Sequence, residues 1–258
     1  MTRKIRKLLY CVPTVFIETP NGNQILIDGG PNDRILGKLG RTLPFWDRSI
    51  DLVILTHPEK DHLAGLVDVL DRYKVGAALW TGVEHSTAEY REWVSALEEK
   101  NTPTFIARVG QRVKIGSDIT LDILAPFDDW NGKTATKLND TGIVSRLQHG
   151  KISMLFTGDI SKSVERRLLF ESLNSKLLIL DSDVLKVGHH GSKTSSIEEF
   201  LNAVSPEVSV IQVGGKNRYG HPTQEVLGRL AAVGARILRN DLEGDVRFES
   251  DGTTYWLR

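Results

Sequence analysis

Apolar positions in this chain come in short runs separated by turn residues, and the period of each run predicts its element. Thr14–Glu18 and Gln24–Ile27 alternate on either side of Thr19-Pro20-Asn21-Gly22-Asn23, whose Asn-Gly step predicts a hairpin ending in Asp28-Gly29-Gly30. Leu52–Leu55 predicts a strand. Leu63, Leu66, Val67 and Leu70 then recur at i, i+3, i+4 and i+7, which predicts a helix from about His62 to Tyr73. A strand is expected at Ala77–Thr81, and an exposed helix at Ser86–Lys100 capped by Ser86 or Thr87.

Three further runs (Phe105–Val109, Gln111–Ile115 and Ile119–Leu124) are punctuated by Gly110 and Gly116-Ser117-Asp118 and predict strands. Ile143–Leu147 and Ile152–Phe156 predict a hairpin about His149-Gly150. The second half continues as helix Ser161–Ser172, strand Val184–Val187, helix Ser196–Val204, strand Val208–Val213 and helix Pro222–Val233, with Pro222 in its first turn. Arg236–Arg258 is expected to form an antiparallel set turning at Glu243-Gly244-Asp245 and Asp251-Gly252. Two β-rich halves, each with helices, predict an α+β fold of two face-to-face sheets with helices outside.

Bulk properties narrow the class. No repeat, low-complexity tract or linker divides the 258 residues, so one domain spanning 1–258 is expected. Lys and Arg total 33, as do Asp and Glu, which argues against a broad basic face gripping nucleic acid but leaves room for a small local site. Cys11 stands alone and cannot form an internal disulfide. The basic residues Arg3, Lys4, Arg6 and Lys7 before Leu8–Ile17 imitate a secretion signal. Pro13 interrupts that stretch and no small-residue cleavage site follows, so a strand is expected. No apolar run approaches the ~20 residues needed to span a bilayer, and a cytoplasmic protein is expected.

Candidate chemistry sits at the ends of four apolar runs. Asp51–Thr56 leads to His57, Asp61 and His62, and Ser153–Gly158 leads to Asp159. Val184–Val187 leads to His189 and His190, and Val208–Val213 leads through Gly214, Gly215 and Gly220 to His221. Strands of one sheet ending at one edge would gather these groups, and a cluster of His and Asp is what a divalent ion requires. His189 and His190 are expected to alternate on extended chain, so that only one points inward. His85 and His149 read as ordinary turn or helix-start residues.

The strings Leu55-Thr56-His57-Pro58 with Asp61-His62, Phe156-Thr157-Gly158-Asp159-Ile160, Leu185-Lys186-Val187 with His189-His190-Gly191-Ser192, and Asn217-Arg218-Tyr219-Gly220-His221-Pro222 resemble the metallo-β-lactamase superfamily. Within it they are similar to the C-terminal domain of ComEC-type DNA-uptake competence proteins. That resemblance implies an αββα sandwich of two mixed β-sheets, helices on the outer faces, and a metal-dependent hydrolase site holding one or two divalent ions, Zn²⁺ or Mn²⁺. It implies metal ligands at His57, Asp61, His62, Asp159 and His189.

Departures from the family pattern are equally specific. Glu59 stands where the commonest loop has a second histidine, and Leu138-Asn139-Asp140-Thr141 stands where another histidine is usual. One metal position then reads as Asp61, His62, His189 and a bridging Asp159. The other reads as His57 and Asp159, supplemented by Glu59 or Asn139, and its oxygen-rich character favours a harder ion such as Mn²⁺. The family's Gly-Gln-Gly-Asp element is replaced by Tyr10–Thr14.

In this reading Asp61 and Asp159 hold and orient the attacking water, and His221 acts beside the substrate as second-site or proton donor. No acid occurs in Lys186–Ser196 or in Gln212–His221, so Lys186, Lys193, Lys216 and Arg218 suit a phosphodiester substrate. His190, Ser192 and Asn217 on the same segments complete the expected substrate contacts, and nucleic acid is the expected partner. A hydrolase of lactams, lactones or thioesters is the rival expectation, with Trp46, Trp80 and Trp130 as candidate pocket walls. A non-catalytic accessory protein that keeps the fold is the third.

Overall fold

The computed structural model describes residues 5–11, 13–174 and 178–258, so Arg3 and Lys4 of the basic N-terminal run and Val12 of the Tyr10–Thr14 segment lie outside the described residues. In chain order the elements begin with β1 (Ile5–Cys11), β2 (Thr14–Glu18), β3 (Gln24–Ile27), α1 (Arg34–Thr42), β4 (Ser49–Ile50), β5 (Leu52–Ile54) and α2 (Lys60–Arg72). They continue with β6 (Lys74–Val75), β7 (Ala78–Trp80), α3 (Ala88–Glu99), β8 (Thr104–Ile106), β9 (Arg112–Ile115), β10 (Ile119–Ala125), β11 (Val144–His149) and β12 (Ile152–Phe156). The remainder is α4 (Lys162–Asn174), β13 (Val184–Lys186), α5 (Glu198–Val204), β14 (Val208–Ile211), α6 (Gln224–Ala232), β15 (Arg236–Arg239), α7 (Asn240–Glu243), β16 (Val246–Ser250) and β17 (Tyr255–Leu257).

Eight strands form one sheet in the order β17-β16-β1-β2-β3-β5-β7-β8, and seven form a second in the order β15-β14-β13-β12-β11-β10-β9. Each is mixed: β3, β5, β7 and β8 run parallel, as do β12 to β15, while the other neighbours are antiparallel. Burial explains how they stack. Val15 and Ile17 of β2, Ile54 of β5, Met154 and Phe156 of β12 and Val210 of β14 all belong to one apolar layer between the sheets. The intervening Phe16 and Val53 face a second layer with Leu39 of α1, Leu66 of α2 and Trp93 of α3. Leu155, Leu185 and Ile211 face a third with Leu168 of α4, Phe200 of α5 and Leu230 of α6. Strands covered on both faces read as continuous apolar runs, and the result is the expected αββα sandwich.

Four expectations change in detail. The Leu8–Ile17 stretch is two strands, with β1 turning straight back onto β2. α1 had no counterpart in the sequence reading, because Gly37 and Gly40 weaken the helical signal that Ile35, Leu36 and Leu39 carry. α6 begins at Gln224, two residues beyond Pro222, which packs instead against Gly191. Finally, Arg236–Arg258 is not one antiparallel set. β15 pairs parallel with β14, as the α6 crossover requires, whereas β16 and β17 cross to the other sheet and join β1.

Candidate metal centre

The carboxyl ends of β3, β5, β12, β13 and β14 converge at one edge of the sandwich, the edge where open α/β sheets bind ligands. Two glycines set the first contact there. Gly29 donates its N–H to His62 O at 2.7 Å and Gly65 donates to Gly30 O at 2.9 Å, so the turn after β3 lies directly on the first turns of α2. A Cβ on Gly29 would sit 2.2 Å from Leu66 N, and one on Gly65 2.0 Å from Gly29 O, so neither position tolerates a side chain. Asp28, in the left-handed region at φ 58°, is thereby aimed at two residues. Its carboxylate accepts from Thr56 N and Thr56 Oγ1 at 2.8 Å, and lies 2.7 Å from His62 Nδ1.

The hydrogen bonds fix which nitrogen each imidazole offers. Thr56 spends its hydroxyl proton on Asp28, so it accepts from His57 Nδ1 at 3.0 Å. His62 Nδ1 faces the Asp28 carboxylate, and His190 Nδ1 faces the carbonyl of Gln212 at 2.6 Å. Each ring therefore donates from Nδ1 and turns Nε2 toward the others, an arrangement that orients histidines on a metal. The His57 and His62 ring centres lie 4.2 Å apart, and those of His62 and His190 5.7 Å apart.

Carboxylates complete the group. Asp159 Oδ2 is 3.3 Å from His62 Nε2 and 3.0 Å from His190 Nε2, while Asp61 Oδ2 is 3.8 Å and 3.4 Å from the same two atoms. One ligand atom from each of Asp61, His62, Asp159 and His190 falls within 4.8 Å of all the others. His57 Nε2 and His62 Nε2 are buried without a hydrogen-bond partner. Buried nitrogens left unpaired beside two carboxylates fit a divalent cation, which would satisfy both kinds of group at once.

Electrostatics agree. Burial alone would raise Asp159, yet His190, His62 and Lys186 hold it well below the ordinary carboxylate range. Burial lowers His190, but Asp159 and hydrogen bonds to Asp159 and Asp61 overcome it and lift the ring to about 9. His62 likewise rises well above its usual value, because Asp159 and Asp28 outweigh its burial. His57 is pushed down to about 3 by burial and by His62, which outweigh Asp159, Asp28 and Asp61. The cluster thus holds positive charge at His62 and His190, where a metal would displace protons.

The site residues expected from sequence separate into three groups. Asp61, His62, Asp159 and His57 lie at the centre. His190, expected to contact substrate, joins them in place of His189, the expected ligand, so the structure corrects which of the two histidines faces the carboxylates. The chain there is not extended: Gly188–Gly191 is a tight turn with His189 and His190 both at positive φ, which swings His190 inward. His189 instead packs 3.2 Å from Thr194 Oγ1 and 3.5 Å from Asn139 Nδ2.

Lys186 also departs from its expected role as a substrate contact. It faces inward on β13 at 2% exposure, donating to Gly158 O at 2.7 Å and lying 3.4 Å from Asp159 Oδ1. Ser192 is buried against Thr194, and Asn217 is a loop clamp, donating to His221 O and accepting from His221 N, each at 2.9 Å. Lys193 and Arg218 are exposed, and Lys193 lines an open cleft of about 780 Å³ with Glu59, His85, Asn139 and His189. His221 stands 6.0 Å from His189, ring to ring, outside the ligand group. Of the expected pocket tryptophans, Trp80 packs against Trp93 and Tyr90, and Trp46 is exposed against Phe45. Asp28 is the residue missed, and its signal was the Asp-Gly-Gly sequence after the hairpin.

Comparison with known proteins follows the same lines. The family model described as the metallo-beta-lactamase superfamily matches residues 12–215. ComE operon protein 3 of Bacillus subtilis (strain 168) is 30% identical over 201 residues, which cover 78% of this chain and 25% of that protein. Competence protein ComA of Neisseria gonorrhoeae is 32% identical over 205 residues, with the same 78% and 25% coverage. The chain therefore spans about a quarter of the length of these relatives. Among solved structures, the metallo-beta-lactamase fold protein YhfI from Bacillus subtilis superposes with a TM-score of 0.56 at 12% identity, covering 99% of this chain and 100% of that one, which is a likeness of fold. Among the described residues no helix is long and apolar enough to cross a membrane.

Proposed function

Because the chain belongs to the metallo-beta-lactamase superfamily, we propose that it is a metal-dependent hydrolase of nucleic-acid phosphodiesters. The observation that carries the hydrolase reading is the convergence of Asp61, His62, Asp159 and His190, with two buried imidazole nitrogens left unpaired. These four residues would hold one divalent ion, and His57 with Glu59, 3.9 Å apart, would supply donors for a second. A bound divalent ion supplies Lewis acidity, making hydroxide available near neutral pH and drawing charge from a phosphoryl oxygen.

The chain's own groups do the rest. Asp61 is the ligand-group carboxylate that reaches solvent, at 46% side-chain exposure, and is read as the acceptor that orients the attacking water. Asp159 is locked from behind by Lys186, so it serves as a fixed anion. His221, held by Asn217 at the rim, is read as the proton donor to the departing oxygen.

Support for the substrate class is separate. Lys137, Lys162 and Lys193 line the cleft beside the cluster together with Glu59, Asp140 and Glu225, and the lysines are the groups there that suit a polyanion. One matched relative is named Competence protein ComA, and a third, from Haemophilus influenzae, is Recombination protein 2. The test is cleavage of single- and double-stranded DNA and RNA by chelator-stripped protein with Mn²⁺ or Zn²⁺ added back. Cleavage that depends on the ion and disappears in Asp159→Ala is expected. Turnover of a β-lactam or thioester without nucleic-acid cleavage, or protein that binds no ion, would overturn the reading.

A further inference from the structure

We propose that Tyr219 is a stacking platform that receives an unpaired nucleobase of the substrate and positions the strand over the metal cluster. This rests on the nucleic-acid reading above and adds to it the residue that holds a base. The Tyr219 ring is 81% exposed, in contrast to the buried aromatics of the outer layers. One face lies nearly parallel to His221, with planes 20° apart and centres 5.9 Å apart, and the remainder is open to solvent. His221 is in turn 6.0 Å from His189, whose neighbour His190 belongs to the ligand group, so a base on Tyr219 would sit within a few nucleotides of the cluster.

Position matters only if the platform is fixed, and this one is tied at both ends. Asn217 holds Gly214 O at 3.3 Å and clasps both backbone groups of His221, closing the loop on which Tyr219 stands. Beyond it, Thr223 N donates to Gly191 O at 3.0 Å, which fastens the loop to the turn bearing His190. Gly220, at φ +70° with open space where a Cβ would go, permits the reversal that leaves the ring outside. Exposed Lys216 and Arg218 precede Tyr219 on the same loop, and no acid occurs between Gln212 and His221, so a phosphate beside the stacked base meets cations. An aromatic face accepts any base, and stacking of this kind is sequence-tolerant.

The experiment uses the whole chain and a set of 12-nucleotide DNA strands carrying one 2-aminopurine moved along the sequence. Fluorescence of that base should be quenched at one position when bound to metal-free wild-type protein, and the quench should vanish in Tyr219→Ala and survive in Tyr219→Phe. With Mn²⁺ added, Tyr219→Ala should raise KM by roughly tenfold with kcat little changed, and Tyr219→Phe should restore KM. Wild-type cleavage with an unaltered KM and quench in Tyr219→Ala overturns the platform and leaves the nuclease reading standing. Tyr219→Phe behaving like Tyr219→Ala assigns the effect to the hydroxyl and also overturns stacking. Wild-type protein that neither binds nor cleaves any of the strands overturns both.

Discussion

Asp28 Oδ2 lies 2.7 Å from His62 Nδ1, with both side chains sealed from solvent, although 34 residues separate them in sequence. This carboxylate fixes the ring's tautomer and rotation, and so decides where Nε2 points. Asp28→Asn keeps a residue type that accepts positive φ but removes the charge. Metal affinity is expected to fall by about 10- to 100-fold, read by calorimetric titration with Zn²⁺ and Mn²⁺. Unchanged affinity with a native circular dichroism spectrum would show that His62 needs no such anchor.

The adjacent histidines are predicted to be unequal. His190→Ala removes a member of the four-residue group, and the purified variant should retain little metal by elemental analysis. His189→Ala leaves that group intact and should keep its ion. The reverse result would restore the ligand assignment expected from sequence.

Lys186→Met preserves much of the side-chain length while deleting the ammonium behind Asp159. Breaking a buried pair from one side typically costs about 3–5 kcal/mol, and here Asp159 would keep only His62 and His190 beside it. Urea unfolding of stripped protein should show a loss of that order, and added Mn²⁺ should recover part of it by supplying another cation. A variant as stable as wild type without metal would mean that Lys186 does not balance Asp159.

A pH effect is expected far from the metal group. Glu165 on α4 is almost wholly buried, where it accepts from Ser196 N and from Ile197 N at 2.9 Å at the entrance to α5. Burial dominates those hydrogen bonds and lifts its pKa from 4.5 to about 7. A raised carboxyl pKa means the folded state favours the protonated form. Its contribution is therefore complete below about pH 4.5 and is lost as pH rises through about 7. The loss is on the order of 3 kcal/mol. Glu165→Gln should abolish that slope, measured as unfolding midpoints at pH 5 and pH 8.

Much of this was legible in the sequence because burial on both faces leaves a local record. Strands such as Ile152–Phe156 and Val184–Lys186 are buried throughout, and Asp159 and His190, which follow their carboxyl ends, are among the residues that meet. What escaped depends on backbone shape that residue type records poorly. Periodicity could not show that His189 and His190 sit in a left-handed turn, and that turn decides which of them faces the carboxylates. Lys186 was expected to meet the substrate, yet the alternation that buries Val184 also buries it, next to Asp159. The parallel course of β15 was implicit in the α6 helix, since only a crossover that long lets neighbouring strands run the same way.

The ammonium of Lys186 gives the chain a permanent internal counterion. Part of the repulsion that a bare acidic centre would impose on folding is neutralised by the polypeptide itself, through a contact formed when β12 and β13 align. Maturation can then proceed in two independent stages, with assembly of the scaffold first and capture of the ion afterwards.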